Sequence, residues 1–201
     1  MKPSRLYCGC RYGILRFWCP ACPKFWRILC MKLLYSISLA LVFFTGCAPQ
    51  PNPKLQTVEK LDITRYSGKW VEIARYENRF EEGCSGATAD YTFNEGKIEV
   101  LNRCFDDKGN LTGEAHGSAY ATDSSGAKLK VTFFWPFYGD YHVIMVADDY
   151  RYSVIGEPNR KYLWILSRTA PLSSADRDHI LSRLSHFGYD ASKLYWTSVR
   201  P

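Results

Sequence analysis

From Lys69 to Ser167 the apolar residues of this chain recur at every second position, in runs broken by turn residues. A helix cannot use that spacing, whereas a half-buried strand requires it. The runs predict strands over Gly68 to Tyr76, Thr88 to Phe93, Lys97 to Cys104, Glu114 to Thr122, Lys128 to Phe134, Tyr141 to Val146, Tyr152 to Gly156 and Tyr162 to Ser167. Between them, Glu95-Gly96, Asp107-Lys108-Gly109-Asn110, Ser124-Ser125-Gly126 and Pro158-Asn159 supply residues that tolerate positive φ or fix φ. Short connections between successive strands favour antiparallel neighbours, and closing the sheet removes its exposed edges. The expected fold is therefore all-β, an eight-stranded antiparallel up-and-down β-barrel. A barrel of about eight strands is just wide enough to be filled by side chains or to hold one small ligand.

Pro171 ends the last run, and Ser173 or Ser174 can cap a helix that reaches about Phe187, where Gly188 stops it. Ile180, Leu181, Leu184 and Phe187 share one face of that helix. Packing this face on the outer wall of the barrel is its natural use, and Lys193 to Thr197 can pair back as a short extra strand.

The front of the chain reads differently. Met31-Lys32 leads into the apolar run Leu33 to Phe44, followed by Thr45-Gly46-Cys47. That run is shorter than the roughly 20 residues a membrane-spanning helix needs, so a cleaved leader is the better reading. Residues 1–30 carry Cys8, Cys10, Cys19, Cys22 and Cys30, spacings that could suggest zinc or a redox pair. They contain no His and no acidic residue and precede a complete leader, so we read them as a mis-assigned N-terminal extension and expect no metal. Residues 31–46 are the expected signal peptide, 47–60 a tether that begins at Cys47, and 61–201 the folded domain. Seven of the 26 basic residues precede Cys47, which leaves 19 against 20 acidic residues and a net charge of −1. A near-neutral domain without a basic stripe argues against a nucleic-acid partner. Cys84 and Cys104 are the two cysteines after Cys47, and in an exported chain they are expected to form a disulfide. Alternation sets Cys84 on the wrong parity relative to Ala87, Ala89 and Tyr91, so a bulge within Gly83-Cys84-Ser85-Gly86 is expected.

Two resemblances sharpen this reading. Phe44-Thr45-Gly46-Cys47 resembles the bacterial lipobox, with Phe44 in place of the usual Leu, which implies acylation of Cys47; Ala48 after it implies delivery to the outer membrane. Gly68-Lys69-Trp70, Asp149-Tyr150 and Arg168, in that order, resemble the three motifs of the lipocalins, although Asp148 stands where that family usually has Thr. The strings Phe133 to Tyr141 and Tyr162 to Thr169 are similar to those of the lipid-binding bacterial outer-membrane group. The resemblance implies that Trp70 plugs the closed end of the barrel with the Arg168 guanidinium over its ring.

Strand parity names the inward-facing residues that a ligand would meet. They are Tyr91, Ile98, Val100, Val131 and Phe133, with Tyr162 and Trp164 sharing the parity of Arg168. Tyr138 or Tyr141 is expected to contribute a polar rim, and Ala115, Gly117 and Ala119 leave volume along the fourth strand. No H-E-x-x-H, G-x-S-x-G or glycine-rich phosphate loop is present, and His116 and His142 are expected to be ordinary strand residues. The resemblance therefore implies a cofactor-free outer-membrane lipoprotein, facing the periplasm, that binds a fatty acid or lysophospholipid, with a homodimer among the assemblies it allows. An enzyme acting on a small hydrophobic molecule inside the barrel, or an envelope lipoprotein with a filled core, are the alternatives.

Overall fold

The computed structural model describes residues 53–198, so the expected leader and Cys47 lie outside the described residues. The strands are β1 (Gly68–Tyr76), β2 (Gly86–Asn94), β3 (Lys97–Phe105), β4 (Leu111–Ala121), β5 (Lys128–Phe134), β6 (Phe137–Val146), β7 (Tyr152–Gly156) and β8 (Leu163–Ser167), with β9 (Leu194–Trp196) following. Each pairs antiparallel with its successor from β1 to β8, and β8 pairs back onto β1, which closes the barrel. The expected eight strands are present, with β4 and β6 each beginning earlier than alternation alone indicated.

β1 divides its edge. Its first half pairs with β2 from Gly68↔Tyr91 to Val71↔Thr88, while Ala74 to Tyr76 pair with β9 instead. A register shift between Glu72 and Ala74 separates the halves. Helix α2 (Ser174–Leu184) begins at Ser173, whose hydroxyl accepts from the Asp176 N–H, and a 3-10 turn over Ser185–Phe187 ends at Gly188 in the left-handed conformation. Ile180 and Leu184 are fully buried in an outer core with Ile73, Val154, Leu163 and Ile165. Arg151 clamps the start of α2, donating to both Asp176 carboxylate oxygens at 2.9 and 2.6 Å.

Two expectations need correction. Residues 53–60 are not a free tether throughout: Leu55 is buried in the outer core, and the Val58 N–H donates to the Val143 carbonyl at 3.0 Å. The segment continues to Leu61, whose N–H donates to Ser125 O at 2.7 Å, and into a one-turn helix α1 (Ile63–Tyr66) that alternation did not reveal. Cys84 and Cys104 are bonded, but without a bulge: Cys84 precedes β2 in a turn, its N–H donating to Glu81 O, and β2 runs regularly against β3 from Gly86↔Phe105. Closing a loop of 20 residues stabilises by roughly 3 kcal/mol in the chain-entropy model.

Candidate ligand-binding site

The barrel has two ends of different character. The floor carries the β2–β3, β4–β5 and β6–β7 connections; the mouth carries β1–β2, β3–β4, β5–β6 and β7–β8. At the floor Trp70 is fully buried, and its indole N–H donates to Tyr66 O at 2.8 Å. The Arg168 guanidinium lies 3.8 Å from the Trp70 ring centroid. It donates to the carbonyls of Lys69, Arg65, Tyr66 and Ser67 at 2.8 to 3.2 Å, so one side chain ties the start of β1 to α1. Burial lowers the pKa of Arg168 from its usual value. Gly68 sits at φ +93°, where a side chain would be strained. Tyr150, also at positive φ, is buried, and its hydroxyl accepts from the Asp62 N–H at 2.9 Å. Asp149 faces outward to Arg151 at 3.0 Å and takes no part in the plug.

Above the floor the interior is first filled and then open. Tyr66 and Tyr91 each share a hydrogen bond with the Tyr141 hydroxyl, at 2.8 and 3.1 Å, and Tyr66 also reaches Ser153 Oγ at 3.1 Å. Burial pushes Tyr66 up to about 12 and raises Tyr91 and Tyr141 as well, so all three are neutral donors and acceptors near neutral pH. Tyr141 thus belongs to an interior triad rather than to the rim. Tyr138 is not a cavity residue either; it is exposed and meets Tyr120 edge-on at 5.7 Å, on the outer face.

Ile98 and Val100 are buried beside Trp70, Ala119, Leu129 and Leu166, and Val131 and Trp164 pack against that inner cluster half-buried. Farther up, the same face meets solvent. Phe133 is 44% exposed, and Ala115 on the facing strand is exposed too. Gly117 leaves no free volume, contrary to expectation: a Cβ there would stand 2.7 Å from both Phe133 Cδ1 and Thr132 O, because the Phe133 ring already lies across the gap. Tyr162 precedes β8 and lies between Phe80, tilted against it at 5.6 Å, and Trp164, on which it stacks at 5.8 Å. His116 and His142 lie on separate strands, opposite Leu101 and Lys128, and burial lowers the pKa of His142. Alternation missed the residues that join Trp164, namely Glu72, Arg75 and Glu81. Parity with Trp70 would have placed Glu72 inside, whereas the β1 register shift hides Arg75 and nothing in the β1–β2 loop marks Glu81.

Residues 61–199 match the model of the lipocalin-like domain family. The chain belongs to that family. It is 37% identical over 171 residues to the outer membrane lipoprotein Blc of Escherichia coli K12, covering 83% of this chain and 97% of that protein. The temperature-induced lipocalin-1 of Arabidopsis thaliana is 39% identical over 155 residues, covering 72% and 82%. Among solved structures, insecticyanin from Manduca sexta superposes with a TM-score of 0.63 at 22% identity, over 76% of this chain and 88% of that one. This lipocalin therefore shares its barrel with distant proteins and much of its sequence with bacterial lipoproteins.

Proposed function

We propose that this lipocalin is a lipid-anchored protein of the outer membrane, acylated at Cys47, that takes up a fatty acid or lysophospholipid in the mouth half of its barrel and stores or carries it in membrane maintenance. The observation that carries this reading is the gradient along the inward face: sealed by Trp70 and Arg168 below, apolar yet reached by water at Val131, Phe133 and Ala115 above. Such a face gains from covering itself with an alkyl chain, at about 25 cal/mol per Å² of apolar surface. Uptake and release need no bond to break. The relatives named outer membrane lipoproteins support the location.

The docked segment supports an orientation. Arg160, in the β7–β8 connection on the mouth side, donates from Nη2 to Pro53 O at 2.5 Å, and five residues separate Pro53 from Cys47. A segment of that length spans at most about 20 Å. An acyl anchor on Cys47 would accordingly hold the mouth near the bilayer. Native mass spectrometry of the purified protein tests the proposal: a co-purified lipid, exchangeable for added oleate or oleoyl lysophospholipid, is expected, and a barrel that neither retains nor accepts either lipid refutes it.

A further inference from the structure

A charged group stands inside this apolar barrel. Arg75 is 4% exposed and lies directly opposite Trp164 in the β1–β8 register. Its Nη1 donates to Glu72 Oε1 at 2.6 Å, its Nη2 to the carbonyls of Cys84 and Glu81 at 2.8 and 3.3 Å, and its plane covers Tyr195 at 4.6 Å. The remaining donor, Nε, is buried without a hydrogen-bond acceptor; the Glu81 carboxylate stands 3.6 Å away. That carboxylate is well used from other directions, since Glu81 Oε2 accepts from Trp164 Nε1 at 3.0 Å and from Asn78 Nδ2 at 2.5 Å. Donors from β8 and the β1–β2 loop thus converge on one carboxylate oxygen, which the loop itself delivers beside the β1 guanidinium.

Holding an alkyl chain requires none of this. Burying a guanidinium costs several kcal/mol unless it is paired, and an apolar side chain at position 75 would avoid the cost. A convergent donor set beside a solvent-reached apolar wall is what the recognition of an anionic, long-chain ligand demands. We infer that Arg75, Trp164 and Asn78 form the receptor for a ligand carboxylate, and that Glu81 occupies it in the free protein as a built-in stand-in which a free fatty acid displaces. This rests on the lipid-carrier reading above and narrows its ligand from two classes to one.

Charge and size agree. Burial, with the nearby Glu81 carboxylate, raises Glu72 well above the usual glutamate value, which favours its neutral form beside Arg75. The space now holds a planar carboxylate, and a glycerophospho head group is much larger. Exchange needs only the turn ahead of Cys84 to give way, because the bond to Cys104 holds the loop's far end. The acyl chain would then cross toward the β4–β5 wall, where Ala115 and Phe133 are open.

Calorimetric titration of the full chain with oleate, oleyl alcohol and oleoyl lysophosphatidylcholine tests this. Oleate is expected to bind about tenfold or more tighter than the alcohol, the scale of a hydrogen bond to a charged group. Glu81→Gln removes the competing charge and should tighten oleate by about tenfold while leaving the alcohol within about twofold. Arg75→Met should erase the preference; because it also strands the Glu72 and Glu81 carboxyl groups and can unfold the chain, Trp164→Phe serves beside it, removing one donor and reducing the preference a few-fold with the circular dichroism spectrum retained. Equal affinity for acid and alcohol, tighter binding of the lysophospholipid, or an oleate affinity indifferent to Glu81→Gln overturns the inference while leaving the carrier reading intact. Failure of all three lipids to bind removes both.

Discussion

Arg168 and Trp70, 98 positions apart in the chain, meet at 3.8 Å across the barrel floor, and the arginine caps four carbonyls of the segment that leads into β1. The contact joins the last strand of the barrel to the first. A cation over an indole contributes about 0.5 to 2 kcal/mol, and stranding partly buried carbonyls adds to the loss. Arg168→Met should therefore destabilise by about 2 to 4 kcal/mol, read from the urea midpoint. Lysine cannot reproduce the forked geometry, so Arg168→Lys should recover only part of the loss. A midpoint unchanged in both variants would show that the floor holds without the guanidinium.

Side-chain space is tightly fixed at Gly117. A Cβ would press on the Phe133 ring and on the Thr132 carbonyl, both at 2.7 Å. Gly117→Ala should cost about 1 to 3 kcal/mol, the range of overpacking. Adding Phe133→Ala should restore part of that stability, because the ring can leave while the backbone oxygen cannot. Full restoration would mean that only the ring was in conflict.

The β5–β6 connection exposes Phe134, Trp135 and Phe137 at 75, 76 and 71%. Apolar surface of this size on one loop marks a contact surface. Replacing all three by serine should leave the thermal midpoint nearly unchanged, as exposed positions do. Flotation of the Cys47→Ser chain with phosphatidylethanolamine and phosphatidylglycerol vesicles should fall several-fold in the triple variant. Equal flotation of both chains would show that the hairpin makes no bilayer contact.

Glu72 sets a pH dependence. Its carboxyl has a folded-state pKa raised by burial first and by Glu81 second, so the folded chain binds this proton more tightly than the unfolded one. That contribution to stability is complete below the unfolded value near 4.5 and is lost as pH rises toward the raised value. Glu72→Gln, which keeps the neutral shape, should flatten this decline, so that the variant gains on the parent in urea melts between pH 5 and pH 8. The exposed Asp123, whose pKa falls to about 2 beside Lys128, acts in the opposite sense only in acid, well below that window.

Local chemistry made most of the barrel legible. Regular alternation marked β1, β5 and β7 at their observed limits, and Gly188 ends the helical region where its conformational freedom is used. The interior was legible wherever strands stayed in register, as at Tyr91, Ile98 and Val100. It failed where the backbone departs from period two. One shifted residue between Glu72 and Ala74 turns Arg75 inward, and the β1–β2 loop returns Glu81 to the barrel without any periodic signal. The docking of Leu55 and Val58 was illegible for a different reason: a segment with three prolines and no pattern reads as spacer, and its partners, the outer core for Leu55 and the inner cluster for Val58, come from distant strands.

The route of residues 53–61, from Arg160 at the mouth side to Ser125 beneath the floor, has a mechanical consequence. Tension entering from the N-terminus would load its attachments one after another, first the Pro53 carbonyl, then the Leu55 side chain, then the Val58 amide. Strap contacts opened in series yield at low force, as a zip does, so a tug would lengthen the leash before it reached Trp70.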